Sequence, residues 1–258
     1  MLNLDAVRAL EKDVVAHDGG RLKLELGVVE RGEVRTATRW DGDRLIGFAG
    51  RYDFAGLEIA GMVAPDVRRK GIGSELLAEL VAPGEPALLV TPAGTPAGRD
   101  FAAARNATLD HSEHYLVLAG TPEGEGRADI SERPAVPEDV ETVRDLLRAA
   151  FDWEPPTDIL DRQGDLSQVI EQHGVPVGTL RVNRHEDWAG IYGFAVTPDR
   201  QGRGIGRDVL TRTCQALRAE GVARITLEVE TRNDSALHLY TSIGFEKAAG
   251  EDYWRVVG

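Results

Sequence analysis

The stretch that decides the fold occurs twice, as VAPDVRRKGIG at residues 63–73 and as VTPDRQGRGIG at residues 196–206. The two copies lie 133 residues apart and are identical at six of eleven positions. Each copy follows an apolar run typical of a strand and precedes an amphipathic segment typical of a helix. Because a repeat of this length marks related structural units, the sequence predicts two similar halves.

Each copy predicts a strand, a glycine-rich turn and the first turn of a helix. The first amides of a helix have no partner within it, and the helix dipole adds partial positive charge there. Glycines let an anion approach these amides, and Arg203 or Arg207 adds charge in the second copy. The pattern predicts a phosphate-binding turn, with an ordinary strand-to-helix turn as the alternative. The Gly-Lys-Ser/Thr of a Walker loop is absent, and Arg207 replaces the last glycine of a dinucleotide fingerprint.

Composition separates the two halves. Residues 119–127 are rich in Gly, Pro and Glu without an apolar pattern, which is typical of a linker. We therefore predict domains at 1–120 and 128–258, with a linker at 121–127. In the second domain the patterns predict helices and strands in the order β-α-β-β-β-α-β-α-β, which indicates a mixed α/β fold. The predicted helices cover residues 137–151, 205–220 and 233–243, and the predicted strands cover 130–133, 166–171, 177–182, 190–196, 224–230 and 245–257.

The composition excludes several classes of protein. The 258 residues are 42% hydrophobic and 28% charged, which excludes a disordered or collagen-like chain. A net charge of −13 opposes binding to nucleic acid or anionic membranes and favours cationic small molecules or peptides. A single cysteine, Cys214, excludes an internal disulfide, and without a signal-like N-terminus it predicts a cytoplasmic protein. We expect no metal, because His111 and His114 on one strand would face opposite ways.

Two motifs carry a resemblance to a known family. QGRGIG at residues 201–206 matches the Q/R-x-x-G-x-G/A signature of the GNAT superfamily of N-acetyltransferases, and RRKGIG at residues 68–73 matches it again. Residues 233–245 match the family's N-x-x-A-x-x-L-Y-x-x-x-G-F segment completely. The chain thus resembles GNAT enzymes twice, over nearly its whole length. The resemblance implies two tandem domains, each a mostly antiparallel mixed sheet flanked by helices, with a splayed central strand pair.

The resemblance also implies a chemistry. Acetyl-CoA would lie in the splay with its pyrophosphate on the glycine loop, and acetyl would pass directly to a primary amine of a small molecule or peptide. The tyrosine that matches Tyr240 protonates the departing thiolate, although a core-packing tyrosine is the alternative. Glu228 is either a general base or a surface-facing strand residue. A base is needed because an amine of pKa about 10.4 is protonated at pH 7 and must lose a proton before it can attack. The alternative function is a non-catalytic CoA-binding sensor or scaffold.

Further site residues follow from the same resemblance. The candidate CoA-binding residues of the second half are Phe194, Ala195, Val196, Gln201, Gly202, Arg203, Gly204, Ile205, Gly206, Arg207 and Asn233. A candidate second CoA site in the first half consists of Val63, Arg68, Arg69, Lys70, Gly71, Ile72 and Gly73. An aromatic residue with two carboxylates suits a cationic acceptor, which makes Asp152, Trp153 and Glu154 candidate substrate residues.

The first half departs from the family pattern. Matching Leu109 with Phe245 puts Ala104 opposite Tyr240 and Ala97 opposite Asn233. This half opens with one predicted helix, residues 4–17, where a full GNAT domain has a strand and two helices. We therefore predict a degenerate first half packed on a catalytic second half, in a monomer or homodimer.

The tandem architecture resembles that of the mycothiol synthases. In that family a glutamate occupies the strand before the second glycine loop, and Gly190 stands at the aligned position here. The departure leaves the identity of the amine open, with aminoglycosides among the cationic candidates.

Overall fold

The computed structural model describes residues 2–53, 56–151, 154–160, 165–185 and 187–258. Its internal contacts group the chain into two compact units. The N-terminal unit comprises Met1–His114 and Ala249–Gly258, and the C-terminal unit comprises Tyr115–Ala248. The domains predicted at 1–120 and 128–258 stay a prediction, because this grouping does not test which segment folds independently.

The elements of the two units are as follows. The helices are α1 (Leu4–Asp18), α2 (Leu26–Glu30), α3 (Ile72–Leu80), α4 (Pro96–Ala103), α5 (Val140–Ala150), α6 (Ile205–Ala219) and α7 (Asp234–Ile243). The strands are β1 (Arg35–Asp41), β2 (Arg44–Asp53), β3 (Leu57–Val63), β4 (Pro86–Pro92), β5 (Thr108–Leu118), β6 (Ile130–Pro134), β7 (Asp165–Gln172), β8 (Val175–Arg184), β9 (Trp188–Val196), β10 (Arg224–Glu230) and β11 (Phe245–Val257). Within the described ranges, no helix combines the length and the apolar character needed to cross a bilayer.

The two units repeat one strand pattern. In the N-terminal unit β1, β2 and β3 pair antiparallel, and β4 then pairs parallel with β3 and antiparallel with β11. In the C-terminal unit β6, β7, β8 and β9 pair antiparallel, and β10 then pairs parallel with β9. The glycine loops follow β3 and β9, so α3 corresponds to α6 and α4 to α7. Each unit is therefore a mostly antiparallel mixed sheet with helices, as the sequence predicts.

The central parallel strands separate in each unit. The register of β9 with β10 runs from Trp188 opposite Arg224 to Ile191 opposite Leu227, although β9 continues to Val196. The register of β3 with β4 likewise covers only three residue pairs, at residues 58–60 and 88–90. Both strands of each pair extend beyond their shared register. A splayed central pair, which the family resemblance implies, is thus present in both units.

Helices cover both faces of the C-terminal sheet. Val209 and Leu210 of α6 share a buried cluster with Val196 of β9. Leu147 of α5 shares a second cluster with Ala195, the preceding residue of β9. Because successive strand residues point to opposite faces, α5 and α6 lie on opposite sides of the sheet.

The predicted helices of the second half are nearly correct. The helices predicted at 205–220 and 233–243 form as α6 and α7. The Asn233 side chain caps α7 by accepting from the Ala236 amide at 3.1 Å. The helix predicted at 137–151 begins as a 3₁₀ turn, Pro137–Asp139, before α5.

The opening of the first half differs from its prediction. A second, five-residue helix, α2, follows the predicted first helix. It starts after Glu25, which has a left-handed φ of 43° and no capping side chain, so no sequence signal announces it. The prediction of a single opening helix is therefore wrong. Within the described residues no strand precedes α1.

Candidate functional site

Both glycine loops are braced in the same way. The Arg68 Nε atom donates to the carbonyl oxygen of Val63, the last residue of β3, at 3.0 Å. The Gln201 Nε2 atom donates to the carbonyl oxygen of Val196, the last residue of β9, at 2.9 Å. These side chains turn the chain back toward the strand it has left, so the first signature position has a structural role in each loop.

The glycines that precede the two helices have left-handed backbones. Gly71 has a φ of 90° before α3, and Gly204 has a φ of 80° before α6. A residue with a Cβ is strained in this conformation. The loops differ two positions earlier, where Gly202 has a φ of 71° and Arg69 has a φ of 66°. The second loop is thus built with less backbone strain.

The next helix of each unit packs on the last glycine of the loop. A Cβ added at Gly206 would lie 3.2 Å from Leu239 of α7, and one added at Gly73 would lie 2.7 Å from Phe101 of α4. This packing pairs Leu239 with Phe101, so Tyr240 corresponds to Ala102.

The predicted match of Tyr240 with Ala104 is therefore wrong by two residues. The first left-handed residue after each helix is Asn106, with a φ of 54°, after α4 and Gly244, with a φ of 107°, after α7. Asn106 and Gly244 are 138 residues apart, which is also the separation of Phe101 and Leu239. The match with Ala104 is based instead on the strands that follow the helices. An alanine still occupies the position that corresponds to Tyr240.

Tyr240 lies in the core of the C-terminal unit. Tyr240 is 8% exposed, and its ring packs edge to face on the ring of Phe245 with centroids 6.2 Å apart. Burial raises the pKa of Tyr240 to about 12. The hydroxyl therefore keeps its proton throughout the neutral range and can donate it. Ala102, the corresponding residue of the N-terminal unit, is fully buried and has no proton to give.

Glu228 lies where β10 has left its partner. Its neighbours Leu227 and Val229 are buried on one face of the strand, and Glu228 is half-buried on the other. The paired register with β9 ends at Leu227, one residue before Glu228. The carboxylate thus belongs to the splayed part of the strand.

A bulge in β9 distinguishes the C-terminal unit. The register of β8 and β9 shifts between Thr179 and Arg181, which leaves Gly193 and Phe194 opposite one residue of β8. Gly193 has a left-handed φ of 53°. The corresponding pair, β2 and β3, keeps one register throughout. A bulge bends a strand and redirects its backbone groups, here immediately before Ala195 and Val196, both of which are buried.

The glycine loop of the N-terminal unit opens onto a cavity of about 500 Å³. The lining includes Arg68, Gly71 and Phe101. The Arg105 guanidinium carbon lies 3.6 Å from the centroid of the Phe101 ring, and Arg105 Nη2 donates to the Ser74 hydroxyl at 2.5 Å. This unit therefore keeps room and positive charge at its loop.

A profile of the acetyltransferase (GNAT) family matches residues 134–245. The mycothiol acetyltransferase of Rhodococcus jostii strain RHA1 is 31% identical, across 93% of this chain and 90% of that protein. The chain belongs to the acetyltransferase (GNAT) family. The ribosomal protein bS18-alanine N-acetyltransferase of Escherichia coli K12 is 35% identical, across 38% of this chain and 68% of that protein. A GCN5-related N-acetyltransferase structure from Sphaerobacter thermophilus aligns with a TM-score of 0.78 at 18% identity, covering 98% of this chain and 91% of that one.

This GNAT-type N-acetyltransferase therefore has the fold and the enzyme class that its two motifs predict. Its position 190 is also explained by the structure. A Cβ added at Gly190 would lie 2.5 Å from the Tyr192 ring, which covers that position. A glutamate at this position would have to displace the ring.

The acceptor residues predicted in the GNAT domain stay a prediction. Asp152 and Trp153 lie outside the described residues. Glu154 pairs with Arg144 at 2.5 Å and with Arg148 at 2.6 Å, and these guanidinium groups lower its pKa. Since both cations belong to α5, the Glu154 carboxylate anchors the segment that follows this helix.

The structure also locates Cys214 and His111, two other features of the sequence. Cys214 is fully buried, and burial raises its pKa to about 12, so it is an inert core residue as predicted. His111 stacks on Tyr253 with centroids 4.2 Å apart. Among the residues that the structure describes, no group of three His, Cys, Asp or Glu side chains is arranged to hold a metal.

Proposed function

We propose that the C-terminal unit transfers acetyl from acetyl-CoA directly to a primary amine. One observation carries the proposal: this unit combines a glycine loop with the buried, protonated Tyr240, whereas Ala102 replaces the tyrosine in the N-terminal unit. A CoA-binding sensor has no use for a proton donor at that position. The intact donor therefore favours catalysis over the sensor or scaffold alternative.

In the proposed reaction, the amine nitrogen attacks the thioester carbonyl and the carbon–sulfur bond breaks. Glu228 accepts the proton of the amine, directly or through water. Tyr240 donates its proton to the departing sulfur. No covalent acyl-enzyme is required, and the only cysteine is buried with a raised pKa. General acid and base catalysis by such groups contributes roughly 10²–10⁴-fold to a rate.

The proposed CoA contacts come from the loop and the splayed strands. The backbone amides of residues 202–207, at the start of α6, would bind the pyrophosphate. Amides at the start of a helix have no acceptor within it and are free to bind an anion. The backbone of Phe194, Ala195 and Val196 would pair with the pantetheine arm as an added strand does. The bulge at Gly193 supports this role, since it directs backbone groups away from regular pairing. Asn233 caps α7, and we propose a further bond to pantetheine.

The acceptor is proposed only as a class, a small-molecule amine or a peptide N-terminus. The names of two relatives support these two alternatives, a mycothiol acetyltransferase and an alanine N-acetyltransferase of a ribosomal protein. The net charge of −13 favours a cationic acceptor. Gly190 separates the chain from the mycothiol synthase pattern, so mycothiol precursor has no priority over other amines.

For the N-terminal unit we propose CoA binding without transfer. The cavity of about 500 Å³ at residues 63–73 falls within the range of roughly 300–1,000 Å³ typical of ligand pockets. Ala102 leaves the site without an acid. The loop would then hold CoA intact, and the alternative is a loop retained for its turn alone.

The proposed function is tested by thiol release from acetyl-CoA across a panel of amines. The panel includes mycothiol precursor, aminoglycosides, and alanine-initiated peptides with their Nα-blocked versions as matched controls. We expect at least one class to accelerate release, with Tyr240→Phe suppressing that acceleration. Tight acetyl-CoA binding without acceleration by any amine would favour the sensor alternative.

A further inference from the structure

An arginine outside the family motifs contacts the second glycine loop. Arg127 lies three residues before β6, at the end of the predicted linker. Its Nη1 atom donates to the carbonyl oxygen of Arg203 at 2.5 Å. The same atom lies 3.6 Å from the position that a Cβ of Gly204 would occupy. A guanidinium group therefore sits beside the backbone that is proposed to bind pyrophosphate.

Two carboxylates hold Arg127 in this position. Its Nε and Nη2 atoms donate to the two oxygens of Asp129 at 3.0 and 2.8 Å. Gln172 donates to the same carboxylate at 2.9 Å and fixes it in turn. The backbone amide of Arg127 donates to Asp208, in the first turn of α6, at 2.8 Å. Side chain and backbone are thus both oriented before any ligand arrives.

This arrangement leaves hydrogen-bonding capacity for an anion. A guanidinium group carries five N–H donors in a rigid fork. Three of them serve Asp129 and Arg203, which leaves two on the Nη atoms. A planar, permanently charged fork is well suited to phosphate oxygens.

Among the described residues, the first glycine loop has no guanidinium group at the same point, although Arg68 and Arg105 lie close to it. The atom nearest to a Cβ at Gly71 is a carboxylate oxygen of Glu75, at 3.9 Å. Glu75 corresponds to Asp208 by the repeat offset of 133 residues. In the C-terminal unit Asp208 is bound by the Arg127 amide and by Arg212 Nε at 3.1 Å. Glu75 likewise accepts from Arg39 Nε at 3.0 Å. The two loops therefore share a backbone and a paired carboxylate, and they differ in the Arg127 guanidinium group beside the left-handed glycine.

We propose that Arg127 is a ligand of the CoA pyrophosphate in the C-terminal unit, fixed in advance by Asp129. The proposal rests on the proposed function, because it assigns a further residue to the same CoA site. Its consequence is that the second loop binds phosphate more tightly than the first. Among the residues that the structure describes, only Glu75 lies within 4 Å of a Cβ at Gly71, so no guanidinium group takes the place of Arg127 there.

The test is Arg127→Gln, assayed with ligands that differ in their phosphates. A charge-assisted hydrogen bond predicts a rise of about 10–100-fold in the KM for acetyl-CoA, with kcat little changed. The Kd for dephospho-CoA, which keeps the pyrophosphate, rises by the same factor. The kcat/KM for acetyl-pantetheine, which has no phosphate, stays within about two-fold of wild type, because no pyrophosphate contact is lost.

Arg133→Gln is the matched control, because Arg133 is also held by a bidentate carboxylate, Asp139, at 2.6 and 2.9 Å, without a contact to the glycine loop. It leaves the KM for acetyl-CoA unchanged. Arg127→Lys recovers part of the lost affinity by restoring charge.

Four results would overturn the proposal. An equal loss with acetyl-CoA and acetyl-pantetheine would make Arg127 structural, and unchanged dephospho-CoA affinity would move it away from the pyrophosphate. If Arg127→Gln bound acetyl-CoA with wild-type affinity, Arg127 would not be part of the CoA site, and the proposed function would be unaffected. If wild-type protein itself bound no acetyl-CoA, the proposed function would fail first and this one with it.

Discussion

The two glycine loops have nearly the same backbone and very different neighbours. Each is braced to its strand by the first signature side chain, and each enters its helix through a left-handed glycine. Around the second loop lie Tyr240, a strand bulge and Arg127, whereas around the first lie Ala102, an unbroken register and Glu75. The turn is therefore a property of the strand–loop–helix connection. The chemistry that we propose comes from the helix and strands placed beside it.

The largest expected effect comes from closing the second loop. Gly204→Val puts a branched side chain at a φ of 80°, beside the amides proposed for the phosphate. We expect acetyl-CoA binding to the C-terminal unit to be abolished, measured by calorimetry, and transfer to be lost with it. Thermal unfolding serves as the control for folding, since left-handed strain costs about 1–3 kcal/mol. Undiminished affinity in a folded variant would reject the phosphate cradle.

The next largest effect is expected from the acid. Tyr240→Phe removes only the hydroxyl, and turnover should fall by roughly 10²–10⁴-fold while acetyl-CoA affinity is kept. Tyr52→Phe is the matched control, because Tyr52 of the N-terminal unit is also buried and its hydroxyl donates to the carbonyl of Leu24. It should change turnover by no more than about two-fold, as no proton donor is lost. Equal turnover in wild type and Tyr240→Phe would exclude Tyr240 as the acid.

The raised pKa of Tyr240 adds a pH test. The hydroxyl donates only while protonated, so its contribution is present at low pH and is lost as the pH rises through about 12. We expect no alkaline decline from this group between about pH 7 and pH 10, where a solvated tyrosine begins to ionise. A decline centred near pH 10 that disappears in Tyr240→Phe would contradict the buried environment.

A smaller effect is expected from the base. Glu228→Gln should lower turnover at neutral pH by about 10–100-fold and alter the acid limb of the pH–rate profile, since water can replace part of the relay. Glu230→Gln is the matched control, because Glu230 lies on the same face of β10 and pairs with Arg232 at 2.6 Å. An unmoved profile in Glu228→Gln would assign the proton to another group or to bulk water.

Local sequence predicted the parts of the site that depend on local structure. The loops, α6, α7 and the Asn233 cap all follow from residues within a few positions of one another. The position of Arg127 was missed because it depends on Asp129 and Asp208, the second of which lies 81 residues away. The bulge was missed because Gly193 signals it only once the register of β8 is known.

The alignment of the halves failed for a related reason. The sequence matched the strands that follow α4 and α7, whereas the structure matches the helices through their packing on Gly73 and Gly206. The connection from α4 to β5 is longer than that from α7 to β11, and insertions of this kind are tolerated where chains turn at a surface. The final strand also could not be assigned from local sequence. The strand predicted at 245–257 forms as β11, but its residues 249–257 belong to the N-terminal unit.

The most direct test of the central claim is the turnover of Gly71→Val. This substitution repeats Gly204→Val in the matched loop, at a φ of 90° instead of 80°, so both variants carry similar strain. The account predicts that Gly71→Val keeps acetyl transfer within about two-fold of wild type. The N-terminal unit has no acid to protonate the departing thiolate, so it should contribute little to the wild-type rate. Loss of transfer in a folded Gly71→Val protein, comparable with that in Gly204→Val, would contradict the assignment of catalysis to the C-terminal unit alone.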